Sequence, residues 1–334
     1  MGKMRVFITG ADGFIGSHLV EELVARNHEV TALAQYNSFN AQGWLGALSP
    51  EVKENVSVVV GDVRDAGSIR DAIAGHDRVA HLAALIAIPY SYAAPASYIE
   101  TNALGTLNVL EACKAHEVER VVHTSTSEVY GTAQYIPIDE KHPLVGQSPY
   151  SASKIAADQI AFSYWSSFAV PVTTIRPFNT YGPRQSQRAF IPSVMVQLLA
   201  GATELRLGSL DPTRDLTFVE DTARGFADAL ESDGGLGEVF NTGSGFEISM
   251  RDVVAMACEI SGQRPEIAVD SERIRPADSE VERLWSDSSK MLDTFGWQPR
   301  LRGREGLYKG LEATYRWLRD NHGRADYDAS KYVV

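Results

Sequence analysis

Apolar positions along the first half of the chain follow two alternating periods. Short runs rich in β-branched residues, such as residues 5–9 and 28–34, alternate with stretches in which apolar residues recur at helical spacing, as at Leu19, Leu23 and Val24. The runs predict buried strands and the spaced positions predict amphipathic helices. The alternation continues through the strand-like runs "VSVVVGDV", "DRVAHLAAL", "VERVVH" and "VPVTTIRP". Strands that alternate with helices predict a mostly parallel sheet with helices on both faces.

A glycine-rich turn joins the first predicted strand to the first predicted helix. The segment "GADGFIG" contains Gly10, Gly13 and Gly16, with Phe14 and Ile15 between the last two. In such a turn one glycine permits the tight bend, one lets the backbone approach a pyrophosphate, and one lets the helix pack closely on the strand. The helix N-terminus then offers free N–H groups to phosphate. Because a strand precedes the turn and a helix follows it, the segment predicts a dinucleotide site.

The strand–helix pattern loosens after about residue 177. We therefore expect an α/β protein with a Rossmann-type doubly wound parallel sheet and a smaller C-terminal α/β substrate lobe. Residues 1–177 would form the dinucleotide-binding domain, completed by returns of the chain near 215–242. Residues 178–334 would form mainly the substrate-binding lobe.

Composition narrows the choice of partners and location. The 334-residue chain has a formal net charge of −12, which argues against a nucleic-acid backbone as partner. The two cysteines, Cys113 and Cys258, lie in helix-like segments, and no spacing typical of a metal site is present, so we expect no metal. No apolar run reaches membrane-spanning length, so no membrane partner is expected. Since the sequence begins directly with a strand, we expect no signal peptide and a cytoplasmic location.

The Gly-x-x-Gly-x-x-Gly spacing resembles the extended branch of the short-chain dehydrogenase/reductase superfamily. The resemblance implies further cofactor residues on the adenine and ribose side, namely Asp62, Val63, Leu82, Ala83 and Ala84. After the second strand, where an acid for the NAD ribose is expected, the sequence has "AQYNSFN". Tyr36 and Asn37 in this segment could bind either a ribose hydroxyl or a 2′-phosphate. We expect NAD, with NADP left open.

Tyr150 and Lys154 in "PYSASK" are four residues apart and so share one face of a helix. The lysine ammonium and a nicotinamide cation both favour the phenolate, so we expect the pKa of Tyr150 to fall below its usual value of about 10. Such a tyrosine can take a proton from a sugar hydroxyl while the cofactor takes the hydride. Together with the glycine turn, the two residues resemble the catalytic pair of the superfamily.

A carboxylate follows the predicted strand "VERVVH", at the sheet edge where ligands bind in such folds. Thr126, Ser127 and Glu128 resemble the triplet of sugar 4,6-dehydratases, which simple 4-epimerases lack. The resemblance implies that Glu128 removes the proton at C5 after oxidation at C4, and that Thr126 binds the C4 oxygen. The acid that protonates the leaving C6 hydroxyl stays open, because Ser127 cannot readily fill that role. Glu128, acting again or through water, is the working assignment.

Three longer segments carry a more detailed resemblance, namely "HLAALIAIPYSYAAPASYIETNALGTLNVLEA", "TSTSEVYGTAQYIPIDEKHPL" and "RPFNTYGPRQSQRAFIP". They resemble dehydratases that act on nucleotide-linked N-acetylglucosamine in bacterial nonulosonic (legionaminic-type) acid pathways. We therefore expect an NAD(P)-dependent lyase that converts GDP- or UDP-N-acetylglucosamine into the 4-keto-6-deoxy sugar. UDP-glucuronate decarboxylases share the Thr-Ser-Glu triplet, so decarboxylation and 4-epimerisation are alternatives. A non-catalytic dinucleotide sensor is a remote one.

The substrate diphosphate needs donors, and arginine suits it through its bidentate fork. By resemblance the donors are Asn179, Arg214 and Arg275, with Arg184 a weaker candidate. In related proteins the helices near residues 98–115 and 150–168 pair with their copies as a four-helix bundle. We therefore expect a homodimer.

Overall fold

Seven parallel strands form the main sheet of the protein. A computed structural model describes residues 2–274, 276–321 and 327 of the chain. The strands of this sheet are β1 (Arg5–Thr9), β2 (Glu29–Gln35), β3 (Val56–Gly61), β4 (Arg78–His81), β5 (Arg120–Thr124), β6 (Val172–Pro177) and a later strand, Val239–Thr242. Their order is β3-β2-β1-β4-β5-β6 followed by the later strand, and every neighbouring pair is parallel. This is the predicted doubly wound Rossmann-type sheet, in which the chain adds strands outward on one side from β1 and on the other side from β4.

Helices cover both faces of this sheet. Those of the first half are α1 (Phe14–Ala25), α2 (Pro50–Lys53), α3 (Ala66–Ile73), α4 (Ile88–Ala93), α5 (Pro95–Tyr98), α6 (Gly105–Ala115) and α7 (Pro149–Phe168). A π-helical turn, Ile99–Leu104, joins α5 to α6, and a 3₁₀ turn, Ser127–Tyr130, follows β5. One apolar core packs α1 against the sheet, and another packs α3, α6 and α7 against the opposite face. Because β1, β4, β5 and β6 are buried on both faces, they read as continuous apolar runs in the sequence.

The second half of the chain contributes to the main sheet and also forms a separate lobe. Its elements are β7 (Asn179–Tyr181), α8 (Phe190–Leu199), β8 (Glu204–Leu207), β9 (Thr213–Phe218), α9 (Val219–Glu231), β10 (Val239–Thr242), β11 (Glu247–Ser249), α10 (Met250–Ser261), β12 (Glu266–Val269), α11 (Ser289–Phe295) and α12 (Gly303–Asp320). β10 adds to β6 at one edge of the main sheet, whereas β9 lies in a three-stranded sheet between β7 and β11. Helix α9 shares the apolar core of α1.

A third apolar core holds the lobe together. It gathers α8, α10 and α12 with the small strands, through buried residues such as Met195, Leu207, Val253 and Leu311. Strands β8 and β12 pair in parallel at its rim. Within the described part of the chain, no helix is both long enough and apolar enough to cross a membrane.

Candidate active site

The glycine turn places backbone where side chains would not fit. Gly10 adopts φ +67°, and a Cβ there would lie 2.7 Å from the nitrogen of Ala83 at the end of β4. A Cβ on Gly16 would lie 2.1 Å from the carbonyl oxygen of Gly10. Helix α1 begins after Gly13 with no side-chain cap and no acid in its first turn. Its free N–H groups and positive dipole end therefore suit a pyrophosphate.

Gly16→Ala is expected to destabilise the protein by about 1–3 kcal/mol, because the added methyl group overpacks the turn against the Gly10 carbonyl. Urea unfolding of the variant should show the loss. Gly46→Ala is the matched control, since a Cβ at Gly46 meets nothing within 4 Å. Equal unfolding midpoints for the two variants would contradict the close approach of α1 to the turn.

The loop after β2 is organised by its own polar side chains. Both amide hydrogens of Asn37 have acceptors, the carbonyls of Gln35 (3.1 Å) and Ala41 (2.7 Å), and its Oδ1 accepts from the backbone of Phe39 and Ala41. The side chain of Asn37 therefore shapes the loop and has no hydrogen left to offer a ribose. Tyr36 is 72 % exposed.

Asp12, within the glycine turn, is a residue that sequence analysis missed. Its carboxylate accepts a hydrogen bond from the backbone of Gln35 at 2.9 Å, and its carbonyl accepts one from Trp44 at 2.9 Å. Asp12 thus connects the glycine turn to the end of β2. The residue type within "GADGFIG" was visible in the sequence, but its partner lies 23 positions away.

The predicted adenine-side residues lie at neighbouring strand ends. The N–H groups of Leu82 and Ala83 each donate to Thr9 Oγ1 at 3.1 Å, which fixes the backbone after β4 against the end of β1. Val63 is buried, and its carbonyl accepts from Asn108 on α6.

Asp62 and Ala84 complete the predicted adenine-side set. The carboxylate of Asp62 binds the guanidinium and backbone N–H of Arg64, whose hydrogen bond holds the Asp62 pKa below its usual range. Ala84 is partly exposed. Asp62 is therefore an anion already engaged by a cation at this edge.

A defined helix start places the tyrosine–lysine pair. Ser148 caps α7 by accepting from the N–H of Ser151, whose hydroxyl oxygen accepts in turn from the backbone N–H of Ser148, and Pro149 occupies the first turn. Tyr150 is 7 % exposed and Lys154 is 3 % exposed. The ammonium of Lys154 donates to the last carbonyl of β5, at Thr124, over 2.6 Å. The helix and the strand end are therefore joined at the predicted catalytic residues.

The predicted fall in the Tyr150 pKa does not occur in the chain by itself. Burial raises the pKa of Tyr150, a hydrogen bond with Thr126 lowers it, and the charge of Glu128 raises it further. The Lys154 ammonium is directed to the Thr124 carbonyl. The expectation was wrong for the protein alone, because desolvation outweighs the stabilising contacts of the phenolate.

The triplet after β5 is folded into the same site. Thr126 caps the 3₁₀ turn by accepting from the N–H of Glu128 at 3.2 Å. Ser127 is 2 % exposed and Glu128 is 9 % exposed. Glu128 is close enough to Tyr150 for its charge to affect the phenol. The structure thus brings the hydroxyl of Thr126, a carboxylate and a phenol together beside the sheet edge.

A π-helical turn fixes the loop that faces Tyr150, which the sequence did not reveal. Asn102 in this turn accepts from the N–H of Leu85 at 2.8 Å and donates to the Leu85 carbonyl and to Ser153 Oγ, each at 2.9 Å. Ser153 precedes Lys154 on α7. Asn102 therefore links the segment after β4 to α7, and π-helical turns are frequent at functional sites.

A buried histidine lies beneath the glycine turn. His81 on β4 contacts Thr9 Oγ1 through Nδ1 (2.8 Å) and Thr106 Oγ1 through Nε2 (3.0 Å), and Thr106 donates to the carbonyl of Asn102. Burial lowers the His81 pKa well below its usual value, as do the charges of His123 and Lys154. His81 is therefore a neutral, buried residue whose two ring nitrogens are both hydrogen-bonded.

The predicted phosphate-binding residues lie in different places. Asn179 begins β7, and its Oδ1 is buried without a hydrogen-bond partner among the described residues. Arg214 on β9 is buried, and it contacts the Thr213 carbonyl and the carboxylate of Glu280. β7 and β9 are paired, so Asn179 and Arg214 belong to one small sheet.

Arg184 does not join this group in the described structure. Arg184 pairs with Glu21 at 2.7 Å and contacts Ser17, both on α1. Arg184 therefore packs against α1, the helix that follows the glycine turn, whereas Arg214 lies in the small sheet of the lobe. Arg275 lies outside the described residues.

The comparisons with known proteins identify the family of this chain. Residues 7–309 match the family described as GDP-mannose 4,6 dehydratase. A dTDP-glucose 4,6-dehydratase of an Actinoplanes species is 33% identical over 95% of this chain and 98% of its own length. The chain thus has full-length relatives among sugar-nucleotide enzymes.

Solved structures show the same fold. A UDP-N-acetylglucosamine 4-epimerase from Methanobrevibacter ruminantium has a TM-score of 0.86 and 27% identity, over 96% of this chain and 100% of that one. A double mutant of dTDP-glucose 4,6-dehydratase from Streptomyces venezuelae, solved with NAD bound, has a TM-score of 0.85 and 32% identity, over 96% and 98%. The sequence prediction of NAD agrees with that structure.

These relatives confirm the predicted fold and the resemblance to extended short-chain dehydrogenase/reductases of the epimerase and dehydratase kind. The narrower resemblance to N-acetylglucosamine dehydratases stays a prediction. With its glycine turn, its Tyr150–Lys154 pair and its match over residues 7–309, the chain belongs to the GDP-mannose 4,6-dehydratase family.

Proposed function

We propose that the protein is a sugar-nucleotide 4,6-dehydratase. The observation that carries the proposal is the burial of Glu128 just after β5, close enough to Tyr150 for its charge to raise the pKa of the phenol. A 4-epimerase needs only one proton acceptor, at the C4 hydroxyl. A second, buried carboxylate next to the phenol is what removal of the C5 proton requires.

Each residue has a role in this reaction. Tyr150 takes the proton of the C4 hydroxyl, and Thr126, hydrogen-bonded to Tyr150, holds the C4 oxygen. Once C4 is a ketone, the C5 proton is acidic and Glu128 removes it. The C6 hydroxyl then leaves as water, with Glu128 returning the proton directly or through water. When C6 is reduced, C5 takes a proton from solvent, which replaces the proton that Tyr150 took from the C4 hydroxyl. The sum is loss of one water molecule from the hexose.

NAD is the proposed cofactor, and the residues present fit it. The uncapped N-terminus of α1 suits its pyrophosphate, and the cradle around Gly10 and Gly16 has no space for side chains. Gln35–Ala41 contains no arginine to favour a 2′-phosphate, so NAD is proposed over NADP. When bound, NAD supplies an acceptor for the C4 hydride and the same hydride for C6.

The proposed substrate is a nucleoside diphosphate hexose, GDP- or UDP-N-acetylglucosamine. Arg214 and Asn179 are the proposed donors toward its diphosphate, because the buried guanidinium and the carboxamide share the small sheet of the lobe. The sugar itself is proposed from the sequence resemblance over residues 81–112, 124–144 and 176–192.

Product analysis tests this function. The enzyme, supplied with NAD or NADP, would be incubated separately with GDP-N-acetylglucosamine, UDP-N-acetylglucosamine, dTDP-glucose and UDP-glucuronate. The proposal expects a 4-keto-6-deoxy product from an N-acetylglucosamine nucleotide with NAD. A product that is only the C4 epimer, or carbon dioxide from the uronate, would replace it with 4-epimerase or decarboxylase activity.

The dimer stays part of the proposal. Helix α7 and the turn before α6 expose large apolar side chains, namely Ile99, Leu104, Phe162 and Phe168. Pairing with a second copy through a four-helix bundle would cover them. Light scattering of the purified protein should give twice the chain mass of 36.5 kDa, and a monomer would contradict the pairing.

A further inference from the structure

A buried carboxylate that the proposed reaction does not use lies one helical turn after Lys154. Asp158 is 4 % exposed and faces the same side of α7 as Lys154. Its Oδ2 accepts from Ser125 Oγ at 2.8 Å and from Arg176 Nε and Nη2 at 3.1 and 2.9 Å. Its Oδ1 lies 3.2 Å from His123 Nε2. Four hydrogen bonds from three elements thus fix this carboxylate.

The surroundings of Asp158 form one buried set of charges. Arg176, on β6, also donates to the hydroxyl of Tyr130 at 3.0 Å, and Tyr130 donates to Asn241 at 2.7 Å. Burial keeps the His123 pKa below its usual value despite the neighbouring carboxylate. The ring is therefore neutral at pH 7 and donates to Asp158 from Nε2. Among the described residues, His81, His123 and Asp158 interact electrostatically with Lys154. Arg176 and Tyr150 in turn interact with Asp158, and Glu128 interacts with Tyr150.

We propose that Asp158 is a positioning residue for the reaction, whose fixed carboxylate keeps the buried Lys154 side chain cationic and directed at the Thr124 carbonyl. The role of Lys154 in the reaction rests on the proposed function, whereas the effect of Asp158 on the charge of Lys154 does not.

The electrostatics of the pair support this role. Burial lowers the Lys154 pKa to about 8, and the charge of Asp158 opposes that fall. Burial would also raise the pKa of Asp158, but the hydrogen bond from His123, the charge of Arg176 and the hydrogen bond from Ser125 bring it below its usual value. The carboxylate is therefore ionised throughout the pH range in which Lys154 titrates. Lys154 is charged below its pKa and loses its charge as the pH rises through it.

Asp158→Asn keeps the size of the side chain and removes its charge. Loss of an opposite charge at this range lowers the pKa of a lysine by about 1–3 units. The alkaline limb of the kcat/KM profile should therefore move to lower pH by about that amount. Arg176→Gln is the matched control, because it breaks the same buried ion pair but leaves the carboxylate. Its alkaline limb should stay in place or move to higher pH.

A direct readout separates this inference from the proposed reaction. Lysine-selective ¹³C NMR would follow the titration of the Lys154 Cε resonance, assigned by its absence in Lys154→Met. The midpoint should fall in Asp158→Asn and should not fall in Arg176→Gln, whatever the substrate proves to be. If Asp158→Asn does not fold, the double variant Asp158→Asn/Arg176→Gln, which removes the ion pair as a unit, is compared with Arg176→Gln, and its midpoint should be the lower of the two. Equal shifts in both single variants, or an unshifted midpoint without the carboxylate, would overturn the role of Asp158.

Discussion

Glu128→Gln is expected to stop the loss of water while C4 oxidation continues. Glutamine matches the shape of the buried side chain but cannot accept the C5 proton. Formation of the 6-deoxy sugar should fall by about 100- to 10,000-fold, the usual effect of a general base. Oxidation at C4 relies on Tyr150 and should persist, so a 4-keto hexose that retains its C6 hydroxyl should build up on the enzyme.

Reduction with borodeuteride followed by mass spectrometry would detect this trapped ketone. Glu305→Gln is the matched control, because the side chain of Glu305 is exposed on α12 and its variant should keep the parent rate. A Glu128→Gln enzyme that makes the 6-deoxy product at the parent rate would remove Glu128 from the mechanism.

Tyr150→Phe is expected to block the reaction one step earlier. The phenol that takes the C4 proton is lost, so formation of both the ketone and the 6-deoxy sugar should fall by about 100- to 10,000-fold. The hydrogen bond with Thr126 is lost as well, which costs about 1 kcal/mol of folding stability. This small loss leaves the protein folded, so the kinetic effect can be measured.

The two variants are told apart by the trapped ketone, which Glu128→Gln should accumulate and Tyr150→Phe should not. Tyr308→Phe, on α12, is the control for loss of a hydroxyl elsewhere. If Tyr150→Phe still oxidises C4 at the parent rate, another group accepts the proton and the assignment of Tyr150 is wrong.

Features encoded within a few residues could be predicted from the sequence. The glycine turn works through the backbone of one strand–turn–helix segment, so spacing alone predicts it. Tyr150 and Lys154 share a helix face because four residues make about one turn. Glu128 could be placed at the ligand edge since the strand before it reads as a buried run.

Contacts between distant segments could not be predicted in this way. Asn102 acts through partners 17 and 51 positions away, and Asp158 through Arg176 on the next strand. Arg184 resembles a phosphate ligand in its own segment, but a carboxylate 163 positions earlier binds it. From the sequence, Asn37 could bind a ribose. In the structure its side chain is hydrogen-bonded within its own loop, and composition does not specify the turn geometry that forms these bonds.

The pKa of Tyr150 could not be predicted from the sequence for a different reason. Neighbouring cations can be inferred from spacing, whereas the burial that outweighs them is a property of the assembled fold. Charge arguments drawn from sequence alone therefore overestimated how readily this phenol ionises in the protein itself.

The central claim is that a phenol and a carboxylate act on adjacent carbons of one hexose, and labelling at C5 tests it most directly. The reaction would be run in deuterated water and the product examined by NMR. We expect a 4-keto-6-deoxy sugar carrying deuterium at C5 and the original C4 hydrogen at C6. A product with its C5 hydrogen retained, or one altered only at C4, would contradict it.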